Sequence, residues 1–236
     1  MNRTQILAAA FTLLAVSAPI SEAAELVHSS AGSTYSDGTR SRGYWFTAPV
    51  TFTIDALRVP NVGGGGTQNL QIMTLPSAPP NWSSTSTSYT TLFYTNSGSS
   101  GATAWVPVNI TIPAGTIVGI LGTRGTGTMH NAYAATTPWN TDIAGNAITL
   151  RRFGTQVNIH SQQAGPIWTE TGSYSRVEMD YSVGPVVEAG GPYTATEGVN
   201  VLLDGSATTN ATSYTWDCEN DGSVECSTVT CLCTYP

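Results

Sequence analysis

The sequence contains no lysine and few charged residues of any kind. Its 236 residues carry eight basic side chains, all of them arginine, and charged residues make up 10% of the chain. So low a charge is typical of extracellular β-proteins, whereas the absence of lysine indicates no particular mechanism. The net charge of −7 argues against nucleic acid and anionic membranes as partners, because an acidic surface repels both.

Long hydrophobic runs are also missing. The apolar run from Ile6 to Val16 is shorter than the roughly 20 residues that a membrane-spanning helix needs. It follows Arg3 and leads to small residues that end at Ala23, which is the pattern of a secretory signal peptide over residues 1–23. We therefore expect a protein that is secreted or lies at the cell surface, with no membrane-inserted segment after cleavage.

The motifs of common hydrolases are absent too. The chain has three histidines and neither a G-x-S-x-G nor an H-E-x-x-H sequence. His130 and His160 form a catalytic site only if the fold brings them to Asp142 or Asp180. Glu178 and Asp180 share one strand face, where they could be the two carboxylates of a glycosidase. The simpler interpretation is that they form a solvated strand edge and pair with arginine. The sequence therefore predicts a protein that is not an enzyme.

The strongest positive signal is that of β-strands. Over residues 44–181, short alternating segments are separated by Gly, Pro, Ser and Asn, which is the rhythm of an antiparallel β-sandwich. Residues 116–121 are continuously apolar, and this predicts a strand buried on both faces. No stretch combines a helical period with helix caps, so the expected fold class is all-β.

Three local features are predicted within this region. The alternation changes phase near Ala56, which indicates a β-bulge. Residues 149–153 and 156–159 are expected to form a hairpin that turns at Gly154. Residues 77–101 are crowded with Ser, Thr, Pro and Asn and predict a long loop with one strand inside it.

Turn and strand motifs mark the last fifth of the chain. Two turns rich in glycine flank a strand, and a second strand follows whose Trp216 would fill a core between two sheets. These motifs resemble the PKD repeat, the polycystic-kidney-disease type domain of cell-surface and secreted proteins. The resemblance implies an Ig-like module for spacing or adhesion, incomplete here because the family's further strands do not follow. The matching residues are Gly190-Gly191-Pro192-Tyr193, Glu197-Gly198, Leu203-Asp204-Gly205-Ser206, Tyr214-Thr215-Trp216-Asp217 and Asn220-Asp221-Gly222.

The charge distribution divides the chain at the same place. Residues 25–181 contain seven acids and seven arginines, whereas the residues after Pro185 contain seven acids and no basic residue. We expect a β-sandwich domain at residues 24–183, followed by an incomplete Ig-like (PKD-type) β-sandwich module at residues 184–236. The first domain is similar to sandwich domains of secreted bacterial proteins, at Gly43-Tyr44-Trp45-Phe46 and Arg176-Val177-Glu178.

The acidic module has the spacing of half a calcium loop. Oxygen donors alternate along residues 217–225, with Gly222 at the sixth position, where the backbone must turn sharply. The twelfth position, where an EF-hand has a bidentate glutamate, is Thr228, and no flanking helices are evident. The alternative is an acidic surface turn without metal and a protein with no cofactor. If a cation binds, we expect calcium on Asp217, Glu219, Asp221, Ser223 and Glu225.

All four cysteines lie in the same module. Disulfides are the default for a chain that enters an oxidising compartment. Cys231 and Cys233 are two residues apart, so on a strand they share a face and cannot easily bond to each other. Each is expected to pair with Cys218 or Cys226. Zinc is the alternative, but the spacing lacks two C-x-x-C knuckles.

Three tryptophans lie in polar contexts flanked by Pro or Gly rather than in alternating strands. Flat aromatic faces bind sugar rings by stacking, and the loops at the ends of a sandwich are suited to this role. The alternative is that these rings plug the ends of the sandwich. The ligand-binding candidates are Trp82, Trp139 and Trp168.

These features predict a secreted, non-catalytic protein that acts in adhesion, spacing or weak binding, with an extracellular polysaccharide or protein as its partner. An alternative is an accessory fragment of a secreted hydrolase of protease or chitinase type, because PKD-like modules commonly accompany such catalytic domains. A third class, a catalytic N-terminal sandwich, requires turnover that disappears when Glu178 or His130 is replaced.

Overall fold

The computed structural model describes residues 23–62, 66–184, 193, 199–208, 211, 213–218 and 221–234. These residues contain strands and turns and no helix, so the predicted all-β class is confirmed. Contacts between residues divide the chain into two compact units, one of which is Ala23–Ser182. Residues 1–22 of the predicted signal peptide lie outside the described part.

The smaller sheet of the first unit has four antiparallel strands, numbered here in chain order along the whole protein. The pairing of two of them, Phe52–Arg58 and Glu178–Ser182, shifts register at Asp55, so that Asp180 lies opposite Ala56 and Tyr181 opposite Ile54. The predicted β-bulge is therefore confirmed. From edge to edge the strands are β1 (Ala24–Glu25), β13 (Glu178–Ser182), β4 (Phe52–Arg58) and β7 (Val106–Ile112).

The larger sheet has nine strands, all paired in antiparallel fashion. The strand inside the predicted long loop is among them and forms one edge. The main path runs β10 (Trp139–Ile143), β11 (Asn146–Thr155), β3 (Ser41–Thr47), β8 (Ile117–Arg124), β5 (Gln68–Leu75) and β6 (Thr90–Gly98). Beside this path, β12 (Ile167–Trp168) pairs with β11, and β9 (Met129–Ala134) pairs with β8 and with β2 (Ala31–Asp37).

The two sheets pack face to face through a buried aromatic core. Phe46 on β3 and Phe52 on β4 are both buried, and their ring centroids are 6.2 Å apart. The hydroxyl of Tyr44 donates a hydrogen bond of 2.8 Å to the carbonyl of Val177, which leads into β13. Each fully buried side chain of this size contributes roughly 1.5–3 kcal/mol relative to an exposed one. The architecture is that of a β-sandwich.

A second apolar cluster covers the opposite face of the larger sheet. It forms because the chain between β11 and β12 folds back over the sheet, where the hydroxyl of Tyr94 donates a 2.9 Å hydrogen bond to the carbonyl of Ile159. As a consequence, seven of the eight residues of β8 are buried, and the predicted strand with two buried faces is confirmed. The buried members are Met73, Leu75, Leu121, Phe153, Ile159, Ala164 and Ile167.

The predicted hairpin at Gly154 is wrong. Strand β11 continues through this residue to Thr155 and forms its hairpin at the other end, with β10, through a turn at Ala144 and Gly145 that both have positive φ. Positive φ at both central residues is what a tight two-residue hairpin turn requires. A glycine occupies position 154, inside the strand, because the indole of Trp168 approaches the backbone closely there.

In the second unit, the described residues form one two-stranded sheet around a small core. Strand β14 (Asn200–Asp204) pairs with β15 (Thr230–Thr234), and Leu203 lies opposite Cys231. Trp216 is 2% exposed and donates its indole N–H to the carbonyl of Thr228 at 2.8 Å. The predicted burial of this tryptophan is confirmed, while the PKD assignment stays a prediction.

Two disulfides close this core. Cys218 bonds to Cys233 and Cys226 to Cys231, with Cα atoms 5.7 Å and 5.9 Å apart. Cys231 and Cys233 are both buried on one face of β15, so each reaches across to a separate partner, as expected for side chains two apart on a strand. The four sulfurs are thus paired and do not provide the thiolates that zinc requires.

Candidate functional site

A cleft of about 410 Å³ opens in the first unit. Its size falls within the roughly 300–1,000 Å³ of small-molecule sites. Strands β2, β3, β9, β11 and β12 each contribute side chains, together with the loops that follow β2, β5, β11 and β12. Aromatic rings and arginines dominate the lining, which consists of Tyr35, Arg40, Arg42, Trp82, Tyr133, Arg152, Gln156, Trp168 and Glu170.

The floor of the cleft is a row of three residues across three strands. Gly154 on β11 lies opposite Trp168 on one side and opposite Arg42 on the other. Residues directly opposite in antiparallel strands share a sheet face, so all three lie on the same side of the sheet. A β-carbon at Gly154 would lie 2.9 Å from the indole and 3.0 Å from the Arg42 side chain. The glycine therefore lets the indole lie against the strand and reach the arginine.

Trp82 is held over this floor by its backbone. Its N–H donates a hydrogen bond of 2.9 Å to the carbonyl of Thr169, and the neighbouring Asn81 forms a single bridge to the same residue. The ring centroids of Trp82 and Trp168 are 5.3 Å apart and tilted by 58°. Trp82 is 48% exposed and Trp168 is 1% exposed, so Trp82 offers the accessible ring surface.

A pair of tyrosines lines another side of the cleft. The rings of Tyr35 and Tyr133 are stacked, with centroids 5.7 Å apart and an interplanar angle of 6°. They come from strands β2 and β9, whose pairing places Tyr35 opposite Asn131, two residues from Tyr133. Both rings are partly buried. The cleft therefore combines two aromatic pairs, which is a surface suited to a flat, partly apolar ligand.

Arg42 is buried beneath these rings. Its guanidinium carbon lies 4.6 Å from the ring centroid of Trp168 and 5.7 Å from that of Tyr35. The Nη1 atom donates to the carbonyls of Ser41 and Thr155 at 3.1 Å and 2.8 Å. Burial lowers the pKa of Arg42. The described contacts give this guanidinium aromatic and carbonyl partners and no carboxylate.

The other two arginines of the cleft each have an acidic neighbour. Arg152 forms an ion pair of 2.9 Å with Glu170, and its guanidinium carbon lies 5.4 Å from the ring centroid of Tyr133. Arg40 donates to the hydroxyl of Tyr35 at 2.7 Å and lies 3.9 Å from a carboxylate oxygen of Asp37. The lining thus carries more positive than negative charge.

Three buried N–H groups of the lining have no hydrogen-bond partner among the described residues. They are Nε1 of Trp168 and the Nε atoms of Arg42 and Arg152. Buried donors are almost always paired in folded proteins, so unpaired ones in a cleft are candidate contacts for oxygen atoms of a ligand. The arrangement can bind and orient an oxygen-rich ligand.

Two of the three tryptophan candidates meet in this cleft, namely Trp82 and Trp168. Trp139 lies elsewhere, at the start of β10, and donates its indole N–H to the carbonyl of Val27 at 3.0 Å. A partly buried indole tied to the backbone in this way acts as a structural contact. The ligand-binding role of all three remains a prediction.

The arginines and tyrosines of the cleft are not among the site residues predicted from the sequence. A signal for Arg42 exists in its register, because it precedes the buried Tyr44 and Phe46 at intervals of two residues along β3. Arg152 continues the buried face of Leu150 along β11 in the same way. A charged side chain in phase with core residues indicates either a buried ion pair or a binding site.

The acidic loop of the second unit brings three of the predicted calcium ligands together. Carboxylate oxygens of Asp217, Asp221 and Glu225 lie within 4.8 Å of one another. Asp217 accepts the backbone N–H groups of Asp221 and Gly222 at 3.1 Å and 2.8 Å, and Glu225 accepts that of Cys218 at 2.6 Å.

The other two predicted calcium ligands are Ser223 and Glu219. Ser223 donates its backbone N–H to Asp221 at 2.8 Å, and Glu219 lies outside the described residues. Several carboxylate oxygens suit a hard cation, but the hydrogen bonds by themselves account for the shape of the turn. Calcium binding therefore stays a prediction.

The residues considered for catalysis are engaged in other contacts. The Glu178 carboxylate binds Nε of Arg58 at 2.5 Å and Nη2 of Arg176 at 3.1 Å. His130 contacts the Ser36 hydroxyl at 2.8 Å, and His160 contacts the Asn69 amide oxygen at 3.0 Å. Among the described contacts neither histidine meets Asp142 or Asp180, which a triad would need to orient the ring.

Comparison with known proteins identifies no relative of this chain. No family model matches the chain, and neither a curated protein nor a solved structure matches it. In the part of the chain that the structure describes, there is no helix of the length and apolar character that membrane crossing demands.

Proposed function

We propose that this is a secreted, non-catalytic protein that binds extracellular carbohydrate through the aromatic cleft and serves adhesion. The observation that carries the proposal is the exposed indole of Trp82 above the buried pair of Trp168 and Arg42. Sugar rings present apolar C–H faces and a rim of hydroxyl groups. A flat aromatic face next to fixed N–H donors and carbonyl groups matches both features.

The second unit supports an extracellular setting. Its two disulfides are stable in oxidising compartments and are rare in the cytosol. Its buried Trp216 and its acidic surface fit the spacer role that the resemblance to PKD repeats implies. The same cleft would serve the alternative function, that of an accessory module which holds a secreted hydrolase on its polysaccharide substrate.

The direct test is a binding survey with soluble polysaccharides, neutral and acidic, by affinity electrophoresis and calorimetry on the full chain. We expect measurable binding to at least one polysaccharide, weaker by up to about tenfold in Trp82→Ala, because the loss of one aromatic contact of this kind is worth about 1.4 kcal/mol or less. Trp139→Ala is the matched control, since that indole lies outside the cleft, and its affinity should equal that of the wild type.

The outcomes separate carbohydrate binding from other functions. Loss of binding in Trp82→Ala with retention in Trp139→Ala supports the proposal. Equal loss in both variants would assign the effect to general stability. If no polysaccharide binds at millimolar concentration, the carbohydrate proposal is overturned, and a protein partner becomes the next ligand to survey.

A further inference from the structure

The charge of the cleft restricts the kind of ligand that fits it. Arg40, Arg42 and Arg152 line it, and the carboxylates near them are Glu170 and Asp37, each engaged with one arginine. Arg42 is therefore the cation whose described partners are all uncharged. This concentration of arginine stands out in a unit whose seven acids and seven arginines balance overall.

The arginines also repel one another. Burial lowers the pKa of Arg42; Tyr133 and Tyr35 raise it, and the charges of Arg152 and Arg40 lower it. Burying a cation without a carboxylate partner is unfavourable unless another anion compensates it. The fold keeps this arrangement in a cleft that is open to solvent, where a ligand can provide the missing negative charge.

The groups that would receive an anion are already fixed in place. The Arg42 guanidinium is held between the Trp168 ring and two backbone carbonyls, and the Arg152 guanidinium is held by Glu170 and Tyr133. Their Nε atoms, both buried, lack a partner among the described residues. A guanidinium presents its N–H groups as a planar fork that matches the two oxygens of a carboxylate.

We propose that the cleft selects acidic sugars, with the carboxylate of a uronic acid residue bound by Arg42 and Arg152 while its ring stacks on Trp82. The inference rests on the proposed carbohydrate-binding function and adds the chemical class of the ligand. Polygalacturonate and alginate are thus expected to bind more tightly than neutral polymers.

The test compares two pairs of polymers, and the members of each pair share a backbone and differ in charge. We expect the full chain to bind polygalacturonate about tenfold more tightly than highly methyl-esterified polygalacturonate, the factor that one charge-assisted hydrogen bond supplies. Neutral dextran and dextran sulfate complete the series. Dextran sulfate that binds as tightly as polygalacturonate would show simple polyanion attraction and would overturn the carboxylate selectivity.

One substitution tests the inference by a gain of affinity, which misfolding does not mimic. Glu170→Gln removes the carboxylate that competes for Arg152, so polygalacturonate should bind several-fold more tightly, by no more than the roughly tenfold value of one charged contact. Glu25→Gln is the control, because it removes the same charge from β1 outside the cleft lining. Arg42→Gln should reduce the affinity for polygalacturonate by a larger factor than the affinity for its methyl ester.

The results separate this inference from the proposed function. If neutral, esterified and acidic polymers bind equally well and Glu170→Gln changes nothing, acid selectivity is wrong while carbohydrate binding stands. If no polymer of the series binds while the wider survey finds a polysaccharide that does, the acid selectivity alone is wrong; if nothing binds in either, both are wrong. Because the Arg42 side chain is buried and Arg42→Gln risks a loss of folding, Arg40→Gln, on a half-exposed side chain, provides a second loss-of-charge variant with the same expected direction.

Discussion

A β-carbon at Gly154 would lie 2.9 Å from the six-membered ring of Trp168. The two residues lie opposite each other on β11 and β12, and the indole occupies the place that a side chain at residue 154 would fill. Arg42, on the other side of the glycine, contacts the same ring. The close approach of one glycine and one tryptophan thus sets the depth of the candidate cleft.

We predict that Gly154→Ala weakens ligand binding. The added methyl group must displace the buried indole or the stem of Arg42, and overpacking of this kind costs about 1–3 kcal/mol of folding stability. Gly127→Ala is the control, because a β-carbon there meets no atom within 4 Å. Thermal unfolding measures the stability of both variants, and affinity electrophoresis measures binding. Wild-type affinity in Gly154→Ala would contradict the role of this contact.

We predict that Glu178 is structural rather than catalytic. Its carboxylate is mostly buried between Arg58 and Arg176. Glu178→Gln removes the anion that both guanidinium groups share, leaves Arg58 with the exposed Glu25, and should lower the free energy of unfolding by about 3 kcal/mol. Glu25→Gln serves as the control, since Glu25 is 56% exposed and contacts Arg58 at 3.6 Å, and surface pairs contribute about 0–1 kcal/mol. Urea unfolding measures both values. A stability equal to the wild type in Glu178→Gln would contradict this assignment.

The sequence was sufficient to predict the fold class and several local features. Alternation in β7, the change of phase at Asp55 and Ala56, and the continuous apolar run of β8 each reflect the local pattern of buried side chains. Such patterns are fixed by neighbours in the chain. The prediction of a hairpin at Gly154 was wrong because this glycine is required by a contact that is distant in the chain. Trp168 follows it by 14 positions and approaches it only in the folded sheet.

The candidate site was predictable only in part, for the same physical reason. Trp82 and Trp168 stand out in sequence because their polar surroundings are unusual for large aromatic residues. The partners Tyr35 and Tyr133 come from strands that are far apart in the chain, and their stacking depends on the pairing of β2 with β9. Arg42 looks like any surface residue until its register with Tyr44 is known.

We predict that acid destabilises the first unit through His28. The position of His28 just after the predicted signal peptide favours a frayed end, yet its ring packs 5.4 Å from Tyr44 and contacts the Tyr174 hydroxyl at 3.3 Å. Burial, together with the charge of Arg176, lowers the pKa of His28 from 6.5 to about 3. The folded state therefore binds fewer protons than the unfolded state between these two pH values.

The sign of the pH effect follows from this difference. The contribution of neutral His28 to the free energy of unfolding is fully present above about pH 6.5. Below that pH the free energy of unfolding falls, by up to about 1.4 kcal/mol per pH unit, until the pH reaches about 3. Urea unfolding between pH 4 and 7 measures the slope, which should be smaller in His28→Phe, where the ring is kept and the titration is lost. A His28 imidazole that titrates near 6.5 by NMR in the folded protein would contradict the prediction.

We predict that reduction unfolds the second unit and leaves the first intact. The described residues of the second unit bury a core of five side chains, and the bond between Cys218 and Cys233 closes a loop of 15 residues, which is worth about 3 kcal/mol in the chain-entropy account. All four cysteines lie in this unit, so Ala23–Ser182 is an internal control that a reducing agent cannot change covalently.

Hydrogen exchange of the full chain, followed by mass spectrometry with and without a phosphine reductant, measures both units in one experiment. The amide N–H of Trp216 donates a hydrogen bond of 2.9 Å to the carbonyl of Cys226. It should lose its protection from exchange on reduction, because the small core cannot offset the conformational entropy that the unfolded chain gains without its disulfides. Amides of β5 and β8 should keep theirs. If the amide of Trp216 stays protected after complete reduction, the prediction is contradicted. The stability of this unit would then come from hydrophobic contacts such as the packing of Leu203 with the indole, and not from the disulfides.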